Sequence, residues 1–300
     1  MKRPLLAWLV TAASACALAQ GSDRPLTCDR GADDSLRPVV FGSDQATGYS
    51  EAERACWLDW PAAQQTASGP GGQWVDVRDA GARRRLALTG ITAADLADVQ
   101  SKAFLKGQSL VLIGTGVDLR ALSSHCIALK QSGQFKDVHV LLHGVRAWRQ
   151  ARQPVLADGS ALASDEASAQ DLWLGAADDL WRIAAIGLAP EQLASLPVKA
   201  AFATSDQNLR QAVAELAART KAAVDVAPQQ RWLVLTATPA QLAEVRALWP
   251  ANSSESVVNE TSASAPVWLI GAWPTYASYL EQQKTLAAHA GRPLPRLCGM

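Results

Sequence analysis

Between Gln73 and Leu142 short apolar runs alternate with stretches of helical spacing, and this alternation constrains the fold more than any other feature of the chain. A short helix in "CWLDWPAAQQ" and the turn "SGPGG" (Ser68 to Gly72) lead into "QWVDVRD" (Gln73 to Asp79), which alternates like a strand. A helical stretch around Thr92 to Phe104, an apolar strand over Leu110 to Ile113, a helix over Leu119 to Ser132 and a strand "DVHVLL" (Asp137 to Leu142) follow. In the Leu119 helix, Leu119, Leu122, Cys126 and Leu129 fall on one face, and Gly133 closes it. Strands and helices in alternation predict an α/β fold, a small parallel sheet flanked by helices.

The second half repeats the pattern more faintly. "APEQLASLPVKAAFATSD" (Ala189 to Asp206) parallels the helix-turn-strand entry, and "QRWLVLTATPAQLAEVRALW" (Gln230 to Trp249) parallels the strand, loop and helix from Ser109 onward. "PVWLIGAWPTY" (Pro266 to Tyr276) parallels "VHVLLHGVRAW" (Val138 to Trp148), so two copies of one domain are expected. "ADGSALASDEASAQ" (Ala157 to Gln170) reads as a linker, and Ala251 to Ala265 as a long polar loop. The expected division is a leader over 1–19, an N-terminal extension over 20–56, a first domain over 57–156, a linker over 157–170 and a second domain over 171–300.

The leader has the marks of an export signal: Lys2-Arg3, the apolar run Pro4 to Leu18, and Ala17-Leu18-Ala19 as a small-x-small cleavage pattern. A periplasmic or secreted protein is expected. Cys16 in "AASAC" opens a lipoprotein reading, although Ala13 stands where such signals usually carry Leu. No later stretch approaches the ~20 apolar residues of a membrane helix. The formal net charge is +0 and loses Lys2 and Arg3 with the leader, which argues against a nucleic-acid partner. Cys28, Cys56, Cys126 and Cys298 remain after cleavage, in a compartment where disulfides persist. A Cys28–Cys56 bridge across the Gly/Asp/Ser/Pro-rich segment is one expectation and a Cys126–Cys298 bridge another; sequence alone does not choose among the pairings.

Several segments resemble the rhodanese family. "VDVRD" (Val75 to Asp79) is similar to the Asp-x-Arg strand end that opens such domains. "HGVRAWRQARQPV" (His143 to Val155) resembles the closing Gly-Gly-x-x-Ala-Trp-x-x-Ala-Gly-x-Pro-Val, departing at His143 and Arg152. "GAWPTY" (Gly271 to Tyr276) carries the resemblance in the second half, which implies a tandem arrangement with degenerate loops. The family moves sulfur through a cysteine persulfide at the mouth of a loop that curls into a helix. Backbone N–H groups and the helix N-terminus there stabilise the thiolate. The corresponding position, just after the apolar strand, is Gly114 in the first copy and Thr236 in the second. Ala82 stands about where the family's Glu belongs after Asp-x-Arg.

Without the sulfur, no catalytic residue is expected. The loop Gly114, Thr115, Gly116, Val117, Asp118, Leu119 and Arg120 is the candidate binding loop, where an inward Asp118 would oppose an anion and Arg120 either faces the pocket or is solvated. Cys126 and Cys298 are substitute thiols of low standing, Cys126 because a buried cysteine on an apolar helix face behaves as a small hydrophobe. Asp76 and Arg78 read as a structural brace, and Trp148 and Tyr276 as core or interdomain anchors. Trp57, Trp60, Trp173 and Trp181 lie near domain edges and hint at a face buried between copies or toward a partner. His125, His139 and His143 lack metal-ligand spacing, since His139 and His143 are ~13 Å apart along one strand. Neither a metal nor a cofactor is expected. The Ser and Thr residues of both loops lack the His and Asp that nucleophilic catalysis needs.

The function expected is that of an exported, non-catalytic rhodanese-like protein that binds a protein partner or a small anion. The alternative is a periplasmic sulfurtransferase or sulfur carrier with its thiol relocated to Cys126 or Cys298. A binding subunit of an exported redox or sulfur-oxidation system is a third reading.

Overall fold

A computed structural model describes residues 48–159, 161–205, 208–222, 227–250 and 265–289. The leader, Cys16, Cys28 and Cys298 therefore lie outside the described residues, as does most of the expected polar loop.

The first lobe carries β1 (Trp57–Leu58), β2 (Gly72–Asp76), β3 (Leu86–Leu88), β4 (Thr92–Ala93), β5 (Ser109–Ile113), β6 (Asp137–Leu141) and β7 (Val155–Ala157). Its helices are α1 (Glu51–Arg54), α2 (Trp60–Ser68), α3 (Ala80–Arg85), α4 (Leu119–Gln131) and α5 (Gly144–Gln150). The second lobe carries β8 (Glu166–Ala167), β9 (Trp181–Ile186), β10 (Phe202–Thr204), β11 (Arg231–Thr236) and β12 (Val267–Leu269). Its helices are α6 (Ala169–Ala177), α7 (Pro190–Ala194), α8 (Leu209–Ala222), α9 (Pro239–Leu248) and α10 (Ala272–His289).

Five strands of each lobe form an all-parallel sheet, in the order β1-β6-β5-β2-β4 and β8-β12-β11-β9-β10. Placing β8 on β1, β9 on β2, β10 on β4, β11 on β5 and β12 on β6 makes the two orders identical. β3 and β7 form a separate antiparallel ribbon on the first lobe. The expected α/β architecture with parallel sheets is the one present.

Three expected details differ. The partner of β2 is β9 at Trp181–Ile186, which pairs with β11 as β2 pairs with β5; the Phe202 strand, matched to β2 from sequence, is an edge strand equivalent to β4. Glu166–Ala167, inside the expected linker, is already an edge strand of the second sheet, so that lobe starts before 171. Thr92 to Phe104 is not one helix but β4 followed by 3₁₀ turns at Leu96–Ser101 and Ala103–Leu105. Val99 and Leu105 are both fully buried. Six residues apart, they would lie about 120° apart around a continuous α-helix; the two turns meet at Lys102 instead.

Alternation within strands sorts the core. Leu110 and Leu112 of β5, Ile183 and Ala185 of β9, and Leu233 and Leu235 of β11 face a core shared by both lobes, together with α4, α6 and α10. Val111 and Ile113 face a first-lobe outer core around Trp148, and Ala184 and Ile186 a second-lobe outer core. Trp57, Trp173, Trp181 and Tyr276 belong to the shared core, whereas Trp60 stacks on Trp74 at 5.4 Å and meets Trp148 edge-on at 5.8 Å in the outer one.

Cys56 and Cys126 form a disulfide between the start of β1 and the middle of α4, with Cα atoms 6.3 Å apart. Neither expected pairing therefore forms: Cys56 does not bridge to Cys28, nor Cys126 to Cys298. Folding brings α4 against the edge strand, a contact no local spacing records. The bridge spans a sequence separation of 70 residues, for which loop-closure entropy gives about 4 kcal/mol. Replacing Cys56 and Cys126 together with Ser should lower unfolding stability by about that amount in urea titrations. Reducing the parent protein should erase the difference.

Candidate functional site

The loop between β5 and α4 runs from Gly114 to Asp118 and packs on the backbone at the start of α5. The Val145 N–H donates to the Gly114 carbonyl at 2.9 Å. A side chain on Gly144, which has φ +49, would strike the Gly114 carbonyl carbon and the Gly116 nitrogen at 2.8 Å. Only glycine permits this approach.

The Asp118 carboxylate points into the loop. It accepts the Thr115 N–H at 3.1 Å and the Gly116 N–H at 3.2 Å, the donors that would face an anion held there. Thr115 Oγ1 takes the Val117 N–H at 3.3 Å. A Cβ on Gly114 would lie 2.6 and 2.7 Å from the two Asp118 oxygens and collide with Leu122. Gly114 is thus the residue that the inward carboxylate requires. Burial holds the Asp118 carboxyl above the ordinary carboxylate range, and its hydrogen bonds offset this only in part.

A second carboxylate comes from the other lobe. Asp178, which follows α6, accepts the Arg120 N–H in the first turn of α4 at 3.2 Å. Arg120 turns away from the loop: its guanidinium lies 4.3 Å over the Tyr49 ring, 3.6 Å from Asp178 and 3.7 Å from Glu53. Tyr49 donates its hydroxyl hydrogen to the Asp178 carbonyl at 2.9 Å and meets Trp57 edge-on at 4.7 Å. Tyr49, expected to belong to an extension, is therefore part of the interlobe contact, and Glu53 and Cys56 bond to α4. Burial, with Asp118 and Glu53 nearby, raises the Asp178 carboxyl.

Leu180 and Gln229 of the second lobe line, with Asp118, His143 and Gly144, a cavity of ≈ 10 Å³, at the lower limit for one water molecule. His143 adopts φ 62 and is half-buried with the Pro228 carbonyl facing its ring; desolvation, with Arg231 and Arg146 nearby, pushes its pKa down to about 3. Helix α5 carries the rest of the contact. Arg146 bonds the Glu166 carbonyl and Asp171 (2.9 Å), Arg149 the Leu162 carbonyl, and the Gln150 amide, assigned with its oxygen toward Arg231, accepts from it at 3.0 and 3.2 Å. Sequence reasoning missed Arg146, Arg149, Asp178 and Arg231. The signal within reach was the pair of arginines flanking Ala147-Trp148, on a helix too short to need both for solubility.

In the second lobe Thr236 closes β11 rather than following it, is fully buried, and donates its hydroxyl hydrogen to the Thr238 carbonyl at 2.9 Å. Two residues separate it from α9. The Gln241 side chain accepts the Ala237 N–H at 3.1 Å, and Thr238 Oγ1 accepts the Gln241 N–H at 3.2 Å. Asp76 and Arg78 form a buried bidentate pair at 2.7 and 2.9 Å, and Arg78 also reaches the Leu86 carbonyl. Trp148 and Tyr276 are buried at matching places, each following two successive positive-φ residues, His143 and Gly144 or Gly271 and Ala272. Cys126 carries no free thiol, because its sulfur is in the disulfide. His125 is exposed, and His139 pairs with Asp137 at 2.7 Å, so the histidines do not converge.

No family model and no curated protein matches the chain. Solved structures do. The chain resembles rhodanese-like domain structures. One from Anabaena sp. shares 24% identity over 28% of this chain and 97% of its own, with a TM-score of 0.25. A thiosulfate sulfurtransferase from Pseudomonas aeruginosa shares 13% over 78% of this chain and 47% of its own, with a TM-score of 0.28. A protein of unknown function from Rhodopseudomonas palustris, described as a possible tyrosine phosphatase, shares 21% over 38% of this chain and 100% of its own, at 0.30.

Two outcomes follow from the filled loop. Gly114→Cys should destabilise the fold by about 1–3 kcal/mol in urea titrations, since the new side chain overpacks against Asp118 and Leu122. The Asp118→Asn variant keeps an acceptor and removes the buried charge. Because the folded carboxyl is raised, ionising it costs stability; the cost is absent below the unfolded value of about 4 and grows as pH rises. Thermal unfolding should show the variant gaining on the parent as pH rises above about 4, until the folded carboxyl ionises.

Proposed function

We propose that this chain is an exported, rhodanese-like protein of two tandem lobes that has no sulfurtransferase activity and works by recognising a protein partner. The observation that carries the reading is the Asp118 carboxylate on the Thr115 and Gly116 N–H groups beside a glycine in the sulfur position. A persulfide site needs a sulfur and free donors for its charge, and this loop offers neither. Asp178 and Gln241 take further helix-end donors in the two lobes, which favours a protein partner over a small anion at these loops. Export is supported by the leader pattern and by the Cys56–Cys126 disulfide, a bond that suits an oxidising compartment.

The test is to incubate the mature, oxidised protein with thiosulfate or mercaptopyruvate, and with cyanide as acceptor. Thiocyanate release should stay at the protein-free rate, and intact mass should show no added sulfur. Turnover, or a sulfur atom mapped to Cys298, would instead establish a carrier with a relocated thiol.

A further inference from the structure

The end of the first lobe opposite the closed mouth has an unusual division of cations. Residues 48–157 hold nine arginines and four lysines. The arginines serve buried or interlobe bonds in several cases, as at Arg78, Arg120, Arg146 and Arg149. All four lysines, Lys102, Lys106, Lys130 and Lys136, gather where β5 and β6 begin and α4 ends. The two loops there lie side by side, with the Gly107 N–H on the Gln134 carbonyl at 2.8 Å and the Lys136 N–H on the Gln108 carbonyl at 2.9 Å. Lys102 is 3.8 Å from Asp98 and Lys130 is 3.2 Å from Asp137, whereas Lys106 and Lys136 make no ion pair among the described residues.

Phe104 lies in sequence between Lys102 and Lys106 and is 61% exposed, one of two exposed large hydrophobic side chains among the described residues. Its turn is held from below: Leu105 is fully buried, and the Lys106 N–H bonds the Ala103 carbonyl at 3.2 Å. A single exposed ring is ordinary. An exposed ring on a turn anchored by a buried leucine, on the end of the lobe that carries all its lysines, is not.

We infer that this end of the first lobe docks on an anionic lipid bilayer, with Phe104 entering the headgroup region and the lysines reaching phosphates. Protein interfaces are enriched in Arg and depleted in Lys, and an apolar anchor there sits within a broad packed patch. One exposed aromatic on the same end as flexible ammonium stems matches a bilayer interface instead. With two unpaired lysines and one ring the association is weak and reversible, and salt-sensitive because it acts over a Debye length.

The test is cosedimentation of the mature, oxidised protein with phosphatidylglycerol or phosphatidylcholine vesicles at low ionic strength. Binding should appear with phosphatidylglycerol only and fall about fivefold for each of Lys106→Gln and Lys136→Gln. It should also drop in Phe104→Ser and persist when Lys199 and Lys284 of the second lobe are changed to Gln. These sites are at the surface, and unchanged thermal unfolding checks that each variant is folded. Equal sedimentation of the parent and the Phe104 and Lys106/Lys136 variants overturns the inference, as does equal loss in the Lys199/Lys284 variant. Absence of phosphatidylglycerol binding also overturns it.

Discussion

Two carboxylates of the chain itself occupy the N-terminal end of α4. Asp118 reaches back into the loop from its own sequence neighbourhood, and Asp178 arrives from the other lobe. A helix start concentrates unpaired N–H groups and positive potential, and it binds whatever negative charge is held there. Here that charge is covalently attached, so no external anion need be supplied, and the same contact joins the lobes. The glycine at 114, the inward Leu122 and the outward Arg120 follow from where these carboxylates sit.

Helix α5 meets the second requirement of this arrangement, a firm interlobe seam. Ala147 and Trp148 face the first lobe's outer core, while Arg146 and Gln150 reach the second lobe and Arg149 the connection between the lobes at Leu162. His143, which stands where the resembled motif has glycine, adopts a left-handed backbone, and its half-buried ring meets the Pro228 carbonyl. An arginine without an acidic partner is costly to bury; Arg231 makes no ion pair among the described residues, and burial with Arg146 nearby lowers its pKa to about 9. Its bonds to the Gln150 amide and the Ala265 carbonyl spread that charge across the seam.

Much of the frame was legible because it rests on periodicity. The α4 face of Leu119, Leu122, Cys126 and Leu129 is buried as its spacing predicts, and β5 and β6 lie where apolar runs place them. What failed were matters of long-range contact. The Phe202 segment carries the local likeness to β2 in the sequence, and only pairing with β11 identifies Trp181–Ile186 as the counterpart. Cys56 and Cys126 meet because α4 packs on the edge strand. The direction of the Asp118 side chain, on which the site turns, depends on a glycine four residues before it and on backbone from α5, which no local pattern encodes.

Native-state hydrogen exchange at the Thr115, Gly116 and Arg120 amides tests the central claim most directly. If Asp118 and Asp178 hold these groups, all three should exchange only through larger openings, with protection approaching that of β5, and Asp178→Ala should release Arg120 first. Exchange at the rate of an open surface loop in the parent protein would contradict the account, because the donors would then be free and the mouth unsealed.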